Sequence, residues 1–414
     1  MAYQPPTGAR DLLPLDVAQK HWIEERLEQV FQRWGYLRIM TSTVERLETL
    51  MAGGAIDQAS VIELHHTTGQ RLGLRPELTA SIARTAVTRL SRVTYPQRLY
   101  YNANVFRQAG QGRQGSQQEF YQSGVELLGA GDTLADAEIL LLLTDCLTSL
   151  NLGGWSLLLG DAQLTRALLQ PFATAVQPQV RQALAQLDRV AIETLNLTPA
   201  ERDHALYLLD LRGEPEDVLQ ALGQLDLAPE IQPSLERLKS LVALLREVTP
   251  STEGIGRAYR PPLVLDLSLI QTFDYYTGLV FEVVGAPEQG CQVLGQGGRY
   301  DHLLGVFQSE GQGFPGIGFV LDTDTLHQAL LPTGCLPQTT APSDWLVVPT
   351  TPQAAAAAFT YAQTLRDSSS LVRAEVHLAG FSSQADIRQL ASQRSISRIA
   401  WIDAHGLPHI EALN

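Results

Sequence analysis

The sequence predicts an α+β core that is interrupted by a helical insertion and followed by a small α/β domain. Three observations lead to this prediction. Strand-like apolar runs lie between helical segments in the first 160 residues and resume after residue 262. Residues 165–248 show helical periodicity, prolines where helices would begin, and no convincing strand. Residues 344–414 then alternate strand, helix and strand.

The first predicted element is a helix over residues 16–34. Its apolar side chains recur at helical spacing, with charged residues between them, at Trp22, Ile23, Leu27, Val30, Phe31 and Trp34. We expect Asp16 to cap its N-terminus and Gly35 to end it.

Short strands are predicted next, at Tyr36–Met40, Arg98–Phe106, Glu119–Gly129 and Trp155–Gly160. The most apolar window, residues 138–160, contains Glu138, Asp145 and Asn151 and is broken by two glycines. It predicts a buried helix followed by a core strand and not a membrane span.

Later strands are predicted between residues 263 and 284 and at Gly316–Leu321. Residues 269–284 read as strand, turn and strand, with Asp274, Tyr275 and Tyr276 at the turn. Because the insertion interrupts one sheet, residues 1–330 are predicted to form a single core around it. Residues 331–343, rich in Pro and Thr, are the predicted linker, and residues 344–414 the small α/β domain.

Charge and cysteine content narrow the function classes. The chain has 30 basic and 44 acidic side chains, a net charge of −14, which opposes broad binding to a phosphate backbone. The three cysteines are odd in number and widely spaced, which favours a reducing compartment over a disulfide framework. The N-terminal residues lack the layout of a signal peptide, so a cytoplasmic location is expected.

Several motifs are set aside. Gly311–Gly316 matches G-x-G-x-x-G, but Pro315 and an apolar strand follow where the dinucleotide fingerprint needs a helix. His65 and His66 have no partner at metal-ligand spacing and are interpreted as a surface pair. We therefore expect no metal and no cofactor.

The remaining polar residues form a scattered set. They are Arg75, Glu77 and Thr79, then Arg107, Arg113, Gln122 and Glu126, then Asp274, Tyr275 and Tyr276, and finally Arg299 and Asp301. Each has a structural interpretation, such as a helix-start Glu or a turn Asp. Together, carboxylates at Glu77 and Glu126 suit an ammonium and an imidazole N–H, while Gln122 and the tyrosines suit a small polar ligand. This chemistry indicates an amino-acid pocket.

Taken in order, these segments resemble histidyl-tRNA synthetase, a class II aminoacyl-tRNA synthetase, over residues 1–328. The matching segments are PPTGARDLLP, LRPELTA, FRQAG with EFYQSGVELLG, FDYYTGLVFE, and GGRYDHLLGVF with FPGIGFVLDTDTL. The resemblance implies an antiparallel sheet flanked by helices, a dimer, and a histidine-binding set. That set is Glu77, Thr79, Arg107, Gln122, Glu126, Gln271, Tyr275 and Tyr276.

The chain departs from the synthetase pattern at the ATP side. Gln271 stands where the histidine segment carries Arg, and Asp324-Thr325-Leu326 replaces Glu-Arg-Leu in the third motif. The second motif reads Arg107-Gln108-Ala109 in place of Arg-x-Glu. Losing one preorganised donor lowers a rate by about 10²–10³, so two independent losses give roughly 10⁴ or more. No catalytic residue is therefore expected.

A chain with the histidine pocket but without the ATP-binding arginines resembles the regulatory subunits of ATP phosphoribosyltransferase. The resemblance implies a short catalytic subunit as partner, L-histidine as regulatory ligand, and a self-dimer within a hetero-oligomer. Binding of tRNA is not expected, because the C-terminal domain is short and nearly neutral. Most members of that family end near the core, so the tail is a departure from the pattern.

Two other interpretations stay open. A divergent, active histidyl-tRNA synthetase would need replacement cations, for which Arg113 and Arg299 are the candidates. A synthetase-like binding protein would have another partner or RNA, without affinity for histidine. Within the regulatory interpretation, the inhibitory histidine could also bind at the interface between the two subunits.

Overall fold

The computed structural model describes residues 4–6, 8–54, 56–65, 69–90, 92–108, 117–248, 263–269, 275–285, 291–308, 313–368, 371–378 and 383–413. The chain forms two compact units, Met1–Pro337 and Gln338–Asn414. No helix among these residues is long and apolar enough to cross a membrane.

The first half of the larger unit alternates helices and strands, as predicted. Its elements are α1 (Pro14–Arg33), β1 (Leu37–Arg38), β2 (Val44–Arg46), α2 (Leu47–Met51), β3 (Glu63–Leu64), β4 (Leu72–Leu74), α3 (Thr79–Thr88), β5 (Gln97–Phe106), β6 (Glu119–Leu128), α4 (Thr133–Ser149), β7 (Trp155–Asp161) and α5 (Ala162–Leu169). The apolar window at residues 138–160 is a helix and a core strand, which confirms that prediction.

Helix α1 ends where the sequence predicts but begins earlier. Trp34 and Gly35 end it, and Gly35 adopts a φ of +81°. The prediction that Asp16 is the N-cap is wrong. Leu13 occupies that position, and the Asp16 carboxylate accepts a hydrogen bond from the Leu13 N–H at 2.9 Å from within the first turn. Pro14 begins the helix because its missing N–H needs no partner there.

The insertion is helical, with one exception. Its elements are α6 (Gln177–Ala185), α7 (Arg189–Thr194), α8 (Pro199–Asp210), β8 (Arg212–Gly213), α9 (Pro215–Leu222) and α10 (Gln232–Val248). Prolines lie in the first turns of α6, α8 and α9, as predicted. The prediction that this region lacks a strand is wrong, since β8 pairs with the strand at Leu263–Asp266. Two residues are too few to show a periodicity.

The chain then returns to the core. The elements are β9 (Leu263–Asp266), β10 (Leu279–Gly285), β11 (Gln292–Arg299), α11 (Leu303–Val306), β12 (Gly316–Asp322) and α12 (Thr323–Leu330). Of the first strand predicted in residues 269–284, only Leu269 is described, after the turn that ends β9, because residues 270–274 lie outside the described residues. Strand β11 was not predicted, since its glycines hide the alternation. Gln271, Asp274 and Arg113 lie outside the described residues.

The strands form a largely antiparallel sheet in the order β1-β5-β6-β12-β11-β10-β7-β9-β8. Within the described part, β1–β5 and β7–β9 are the parallel pairs. Helices α1, α4 and α10 pack together on one face over a large apolar core. The other face carries α3 and α11 over a smaller core that includes Ile82, Tyr276 and Tyr300. This architecture confirms the predicted antiparallel sheet flanked by helices.

The C-terminal unit has its own core. It consists of β13 (Trp345–Pro349), α13 (Ala355–Arg366), β14 (Ala374–Val376), α14 (Gln384–Gln393), β15 (Arg398–Ile402) and β16 (Pro408–Ala412). The sheet order is β14-β13-β15-β16, parallel except for the last pair. Helices α13 and α14 belong to separate apolar clusters on its two faces. The small α/β fold is as predicted, but β16 was not predicted, because its side chains are mostly exposed.

Candidate functional site: a buried pocket beside helix α3

One small cavity of about 30 Å³ brings together the residues predicted to bind histidine. Seven of the eight predicted residues line it, namely Glu77, Thr79, Arg107, Gln122, Glu126, Tyr275 and Tyr276. The eighth, Gln271, lies outside the described residues. The cavity has room for about one water molecule.

Strand alternation and a helix start place these side chains. On β6, Val125 and Leu127 enter the large core, so Glu126 and Gln122 point to the opposite face, towards α3. Glu77 and Thr79 stand at the N-terminus of α3. Tyr275 and Tyr276 precede β10. In the sheet, β12 and β11 lie between β10 and β6. Three sequence-distant segments therefore converge on one point.

Glu77 has a structural role as well as a place in the cavity wall. Its carboxylate oxygens accept hydrogen bonds from the backbone N–H groups of Thr79 and Ala80, the latter at 2.9 Å. These donors are free at the start of a helix, and a negative charge there is favourable. Burial raises the pKa of Glu77, while the backbone hydrogen bonds and the nearby Arg107 oppose that shift. The helix-start interpretation of Glu77 is thus confirmed.

Glu126 is the centre of a buried hydrogen-bond network. Its side chain accepts a hydrogen bond from Thr79 Oγ1 at 2.7 Å and another from the Tyr300 hydroxyl. Burial raises the pKa of Glu126 to about 8, with a further contribution from Glu77, although both hydrogen bonds lower it. A carboxyl group with this pKa can change its protonation near neutral pH when a charged ligand arrives.

Aromatic rings close one side of the cavity. The ring centroids of Tyr275 and Tyr276 are 4.9 Å apart, and Tyr275 meets Tyr300 edge to face at 5.8 Å. Burial raises the phenol pKa of all three tyrosines, so they stay neutral donors and acceptors. Such a wall presents apolar faces with hydroxyl groups at their edges.

Arg107 and Gln122 supply the other polar groups. The Arg107 Nε–H donates to the Pro76 carbonyl at 2.9 Å, and its guanidinium lies 5.8 Å from the Phe120 ring centroid. Gln122 is only 6 % exposed, and its side chain lines the cavity. A side-chain amide both donates and accepts hydrogen bonds, so Gln122 suits a polar ligand in this cavity.

Several lining residues were not predicted. Tyr300 and Tyr101 are buried in the wall, and Gly297 and Gly318 line the cavity with their backbones. A Cβ at Gly318 would collide with the Glu126 carboxylate. Sequence reasoning selected Arg299 and Asp301 and passed over Tyr300 between them. The alternation of neighbouring side chains at the end of β11 was the signal that could have identified it.

Three other candidate residues do not line the cavity. Arg75 donates to the backbone carbonyls of Thr41 and Asn104, each at 3.0 Å. Arg299 is fully buried and forms ion pairs with Asp136 and, at 3.0 Å, with Asp301. These contacts stabilise the core and are not part of the cavity wall. Arg299 is therefore wrong as a replacement cation for ATP phosphates.

The polar groups of the altered third motif form hydrogen bonds and an ion pair within the protein. The Thr325 N–H and hydroxyl both donate to Asp322, at 2.8 and 3.0 Å, which caps α12. Asp324 forms an ion pair with Arg10 and accepts a hydrogen bond from the Gln117 amide at 3.1 Å. Thr325, which donates to the capping Asp322, thus stands where the synthetase motif carries a phosphate-binding arginine.

Comparison with known proteins shows the family of this chain. The family model described as histidyl-tRNA synthetase matches residues 8–326. The chain is 57 % identical to the ATP phosphoribosyltransferase regulatory subunit of Nostoc punctiforme and 55 % identical to that of a Cyanothece species, each over 100 % of both chains. The chain belongs to the family of ATP phosphoribosyltransferase regulatory subunits.

Solved structures of this family and of the synthetases share its fold. A Bacillus halodurans protein described as an ATP phosphoribosyltransferase regulatory subunit/histidyl-tRNA synthetase superposes with a TM-score of 0.77, at 27 % identity over 97 % of both chains. A histidyl-tRNA synthetase from a Nostoc species has the same TM-score at 20 % identity, covering 100 % of this chain and 97 % of its own, which shows the fold alone.

The tail is not a departure from these relatives. Residues 344–414 fall within the full-length matches to both regulatory subunits. The expectation that the tail departs from the family is therefore wrong for these members, which share it.

Proposed function

We propose that this chain is a non-catalytic regulatory subunit that a short ATP phosphoribosyltransferase catalytic subunit needs for activity, and that it mediates feedback inhibition by L-histidine. The observation that carries the proposal is the buried cluster of Glu77, Thr79, Glu126 and tyrosines in one cavity, beside a third motif without its arginine. Family membership supports the choice of a catalytic subunit as the partner. A self-dimer within a hetero-oligomer is part of the proposal.

The lining offers complementary groups for each end of histidine. Carboxylates of Glu77 and Glu126 suit the ammonium group and the imidazole N–H, and Arg107 carries the positive charge that suits the α-carboxylate. Gln122 and the tyrosine hydroxyls can fix the orientation of the ring. Charge-assisted hydrogen bonds in a buried site contribute about 1.5–3 kcal/mol each, which favours an amino acid over a neutral ligand.

Binding must enlarge the pocket. A cavity of about 30 Å³ is far smaller than a histidine molecule, so the lining side chains have to shift when histidine enters. A ligand that binds one arrangement better than another shifts the equilibrium between them. In this proposal the shift reaches the catalytic subunit and lowers its activity.

Reconstitution tests the regulatory role. Phosphoribosyl-ATP formation is measured for the short catalytic subunit of the same organism, alone, with this chain, and with this chain and histidine. We expect activity to appear on mixing and to fall when histidine is added. Activity that does not change on mixing would reject the proposal.

A substitution tests whether the L-histidine that causes inhibition binds in this cavity. Glu126→Ala removes the central acceptor, and we expect it to abolish feedback inhibition. Glu45→Gln is the matched control, because Glu45 is a buried acid paired with Arg84 outside the cavity. Unchanged inhibition in Glu126→Ala would place the inhibitory histidine elsewhere, such as at the interface between the subunits.

A further inference from the structure

The last strand of the C-terminal unit leaves one edge of its sheet open. In the sheet order β14-β13-β15-β16, β16 pairs with β15 and has no strand on its other side among the residues that the structure describes. A strand at a sheet edge presents unpaired backbone groups, which can bind another extended strand. With five residues, β16 is the longer of the two edge strands, because β14 has three.

The hydrogen bonds at the two ends of the β15–β16 pair fix its register. The Asp403 N–H donates to the Leu407 carbonyl at 3.1 Å, and the Leu413 N–H donates to the Ser397 carbonyl at 2.9 Å. Residue pairs along an antiparallel ladder alternate between those that exchange hydrogen bonds and those that do not. Counted from Leu407, every second residue therefore uses its backbone groups to bind β15.

The residues between these point their backbone groups towards the open edge. They are Pro408, Ile410 and Ala412. All three offer a carbonyl group, but only Ile410 and Ala412 offer an N–H, because proline has none. Ile410 is 52 % exposed, and Leu407 beside it is 65 % exposed. The open edge therefore combines outward-facing hydrogen-bonding groups with apolar surface.

We propose that β16 pairs with β16 of a second copy of this chain, in an antiparallel arrangement centred on Ile410. In this register the N–H and carbonyl of each Ile410 bond those of the other, and each Ala412 N–H donates to the Pro408 carbonyl of the other copy. These bonds join the two C-terminal sheets into one continuous sheet. The interface is self-complementary, as a two-fold interface between identical chains requires.

The polar side chains select this register. It places His409 of each copy opposite Glu411 of the other, so that an imidazole N–H meets a carboxylate. A shift of two residues in one direction places the two Glu411 carboxylates opposite each other, which is unfavourable, and a shift in the other direction separates His409 from Glu411. The Glu411 carboxylate already accepts hydrogen bonds from Arg388 at 2.6 Å and Trp401 at 2.8 Å, and it has acceptor positions for a further donor.

The apolar side chains fit the same register. Ile410 stands opposite Ala400 of β15, which belongs to the apolar cluster on the α13 face, so the two Ile410 side chains meet on that face. On the other face, Leu407 of each copy lies opposite Leu413 of the other copy. Pairing therefore covers exposed isoleucine and leucine side chains, and burial of their apolar surface stabilises it.

The first experiment tests the register by disulfide crosslinking of the full chain. Cys291→Ser and Cys335→Ser are made first, which leaves only the buried Cys146. Ile410→Cys then places two thiols on Cα atoms about 5.5 Å apart, within disulfide range. Leu407→Cys is the matched control, because it is more exposed but places the two Cα atoms roughly 20 Å apart.

Under mild oxidation we expect Ile410→Cys to give a covalent dimer in at least about tenfold higher yield than Leu407→Cys, since a disulfide does not form across the longer distance. Equal yields, or no dimer from Ile410→Cys, would overturn the proposal.

The second experiment weakens the pairing and measures self-association by sedimentation velocity over a range of concentrations. Ile410→Lys places two like charges at the centre of the interface. Ala412→Pro removes an outward N–H and leaves the hydrogen bonds to β15 in place. We expect each to lower the association constant at least about tenfold. Leu371→Lys is the matched control, because Leu371 is 81 % exposed in the same unit but lies outside β16. Circular dichroism checks that each variant is folded.

The chain alone is used in both experiments, because this inference adds a surface to the self-association in the proposed function and depends on neither histidine nor the catalytic subunit. Either can therefore fail without the other. Self-association that is unchanged in both β16 variants, or weakened equally in Leu371→Lys, would overturn the inference. Loss of catalytic-subunit binding in Ile410→Lys with unchanged self-association would also overturn it, by assigning the edge to that partner.

Discussion

The small cavity beside α3, the amino-acid side in the proposed function, and the altered third motif, the nucleotide side of the synthetase pattern, differ in how their polar groups are used. On the amino-acid side, Thr79 and Tyr300 donate to a buried Glu126, and the cluster lines a cavity. On the nucleotide side, the Thr325 hydroxyl donates to Asp322, the N-cap of α12, and Asp324 is paired with the half-exposed Arg10. In the first arrangement the polar side chains are buried, and their hydrogen bonds meet at Glu126 in the wall of the cavity. The second has the uncharged Thr325 where the synthetase motif carries its phosphate-binding arginine.

Under the proposed function, this difference explains how a regulator can keep one half of a synthetase site. Buried hydrogen-bond networks are lost at a large free-energy penalty, whereas exposed charges change with little effect on stability. The ability to recognise an amino acid can therefore persist after the ability to hold ATP has gone. Four predictions test this contrast, beginning with the scaffold that supports both sides.

Asp136→Ala should have the largest effect on stability. It leaves the buried Arg299 guanidinium without its main partner, and breaking such a pair lowers the free energy of unfolding by about 3–5 kcal/mol. Urea denaturation measures the loss. Asp210→Ala breaks the exposed pair with Arg189 and should change it by at most about 1 kcal/mol. Equal effects of the two substitutions would contradict the structural role of Arg299.

Gly318→Ala should damage the amino-acid side directly. The added Cβ collides with the Glu126 carboxylate and the Val125 carbonyl, so either the strand or the acid must move. Overpacking of this kind lowers the free energy of unfolding by about 1–3 kcal/mol, and we expect at least a tenfold loss of histidine affinity. Gly153→Ala is the control, because a Cβ there meets no atom within 4 Å. Intact histidine affinity in Gly318→Ala would place the ligand elsewhere.

Histidine affinity should rise with pH between 7 and 8. The Glu126 carboxyl has a pKa of about 8 in the folded protein and 4.5 as its ordinary value, so folding takes up a proton between these limits. Without ligand, its contribution to the free energy of unfolding therefore falls as pH rises from about 4.5 to 8.

Binding of an ammonium or imidazole N–H favours ionised Glu126 and releases that proton. The affinity then increases by up to about tenfold per pH unit below the pKa. Calorimetry in buffers with different ionisation enthalpies measures both the affinity and the proton release. Glu126→Gln should bind weakly and without this dependence. An affinity in the unaltered protein that is constant or falls from pH 7 to 8 would contradict the assignment.

Arg10→Gln should have the smallest effect. The Arg10–Asp324 pair is half-exposed on the arginine side, and such pairs contribute at most about 1 kcal/mol. The melting temperature from thermal denaturation and the histidine affinity from titration should both be nearly unchanged. A large loss of histidine affinity would show that the two sides are coupled, against the contrast drawn above.

The sequence predicts what is local and periodic. Strands β5, β6 and β12 show apolar alternation, and the insertion shows helical repeats and prolines. Strands β8, β11 and β16 were not predicted. Strand β8 has only two residues, β11 is rich in glycine, and the side chains of β16 are mostly exposed. Thr79 and Tyr300 reach Glu126 across 47 and 174 residues of sequence. Such contacts, and the small volume of the cavity, depend on the assembled sheet. The resemblance to a known family supplied the site residues instead.

The most direct test of the account is a calorimetric titration of the isolated chain, first with histidine and then with Mg²⁺–ATP in the same cell. The account predicts that histidine binds to one site per chain, that Glu126→Ala abolishes this binding, and that Mg²⁺–ATP gives no binding heat. Binding of Mg²⁺–ATP to the histidine-loaded protein would show a working nucleotide side and an active synthetase. Absence of histidine binding would show that the pocket is not a histidine sensor.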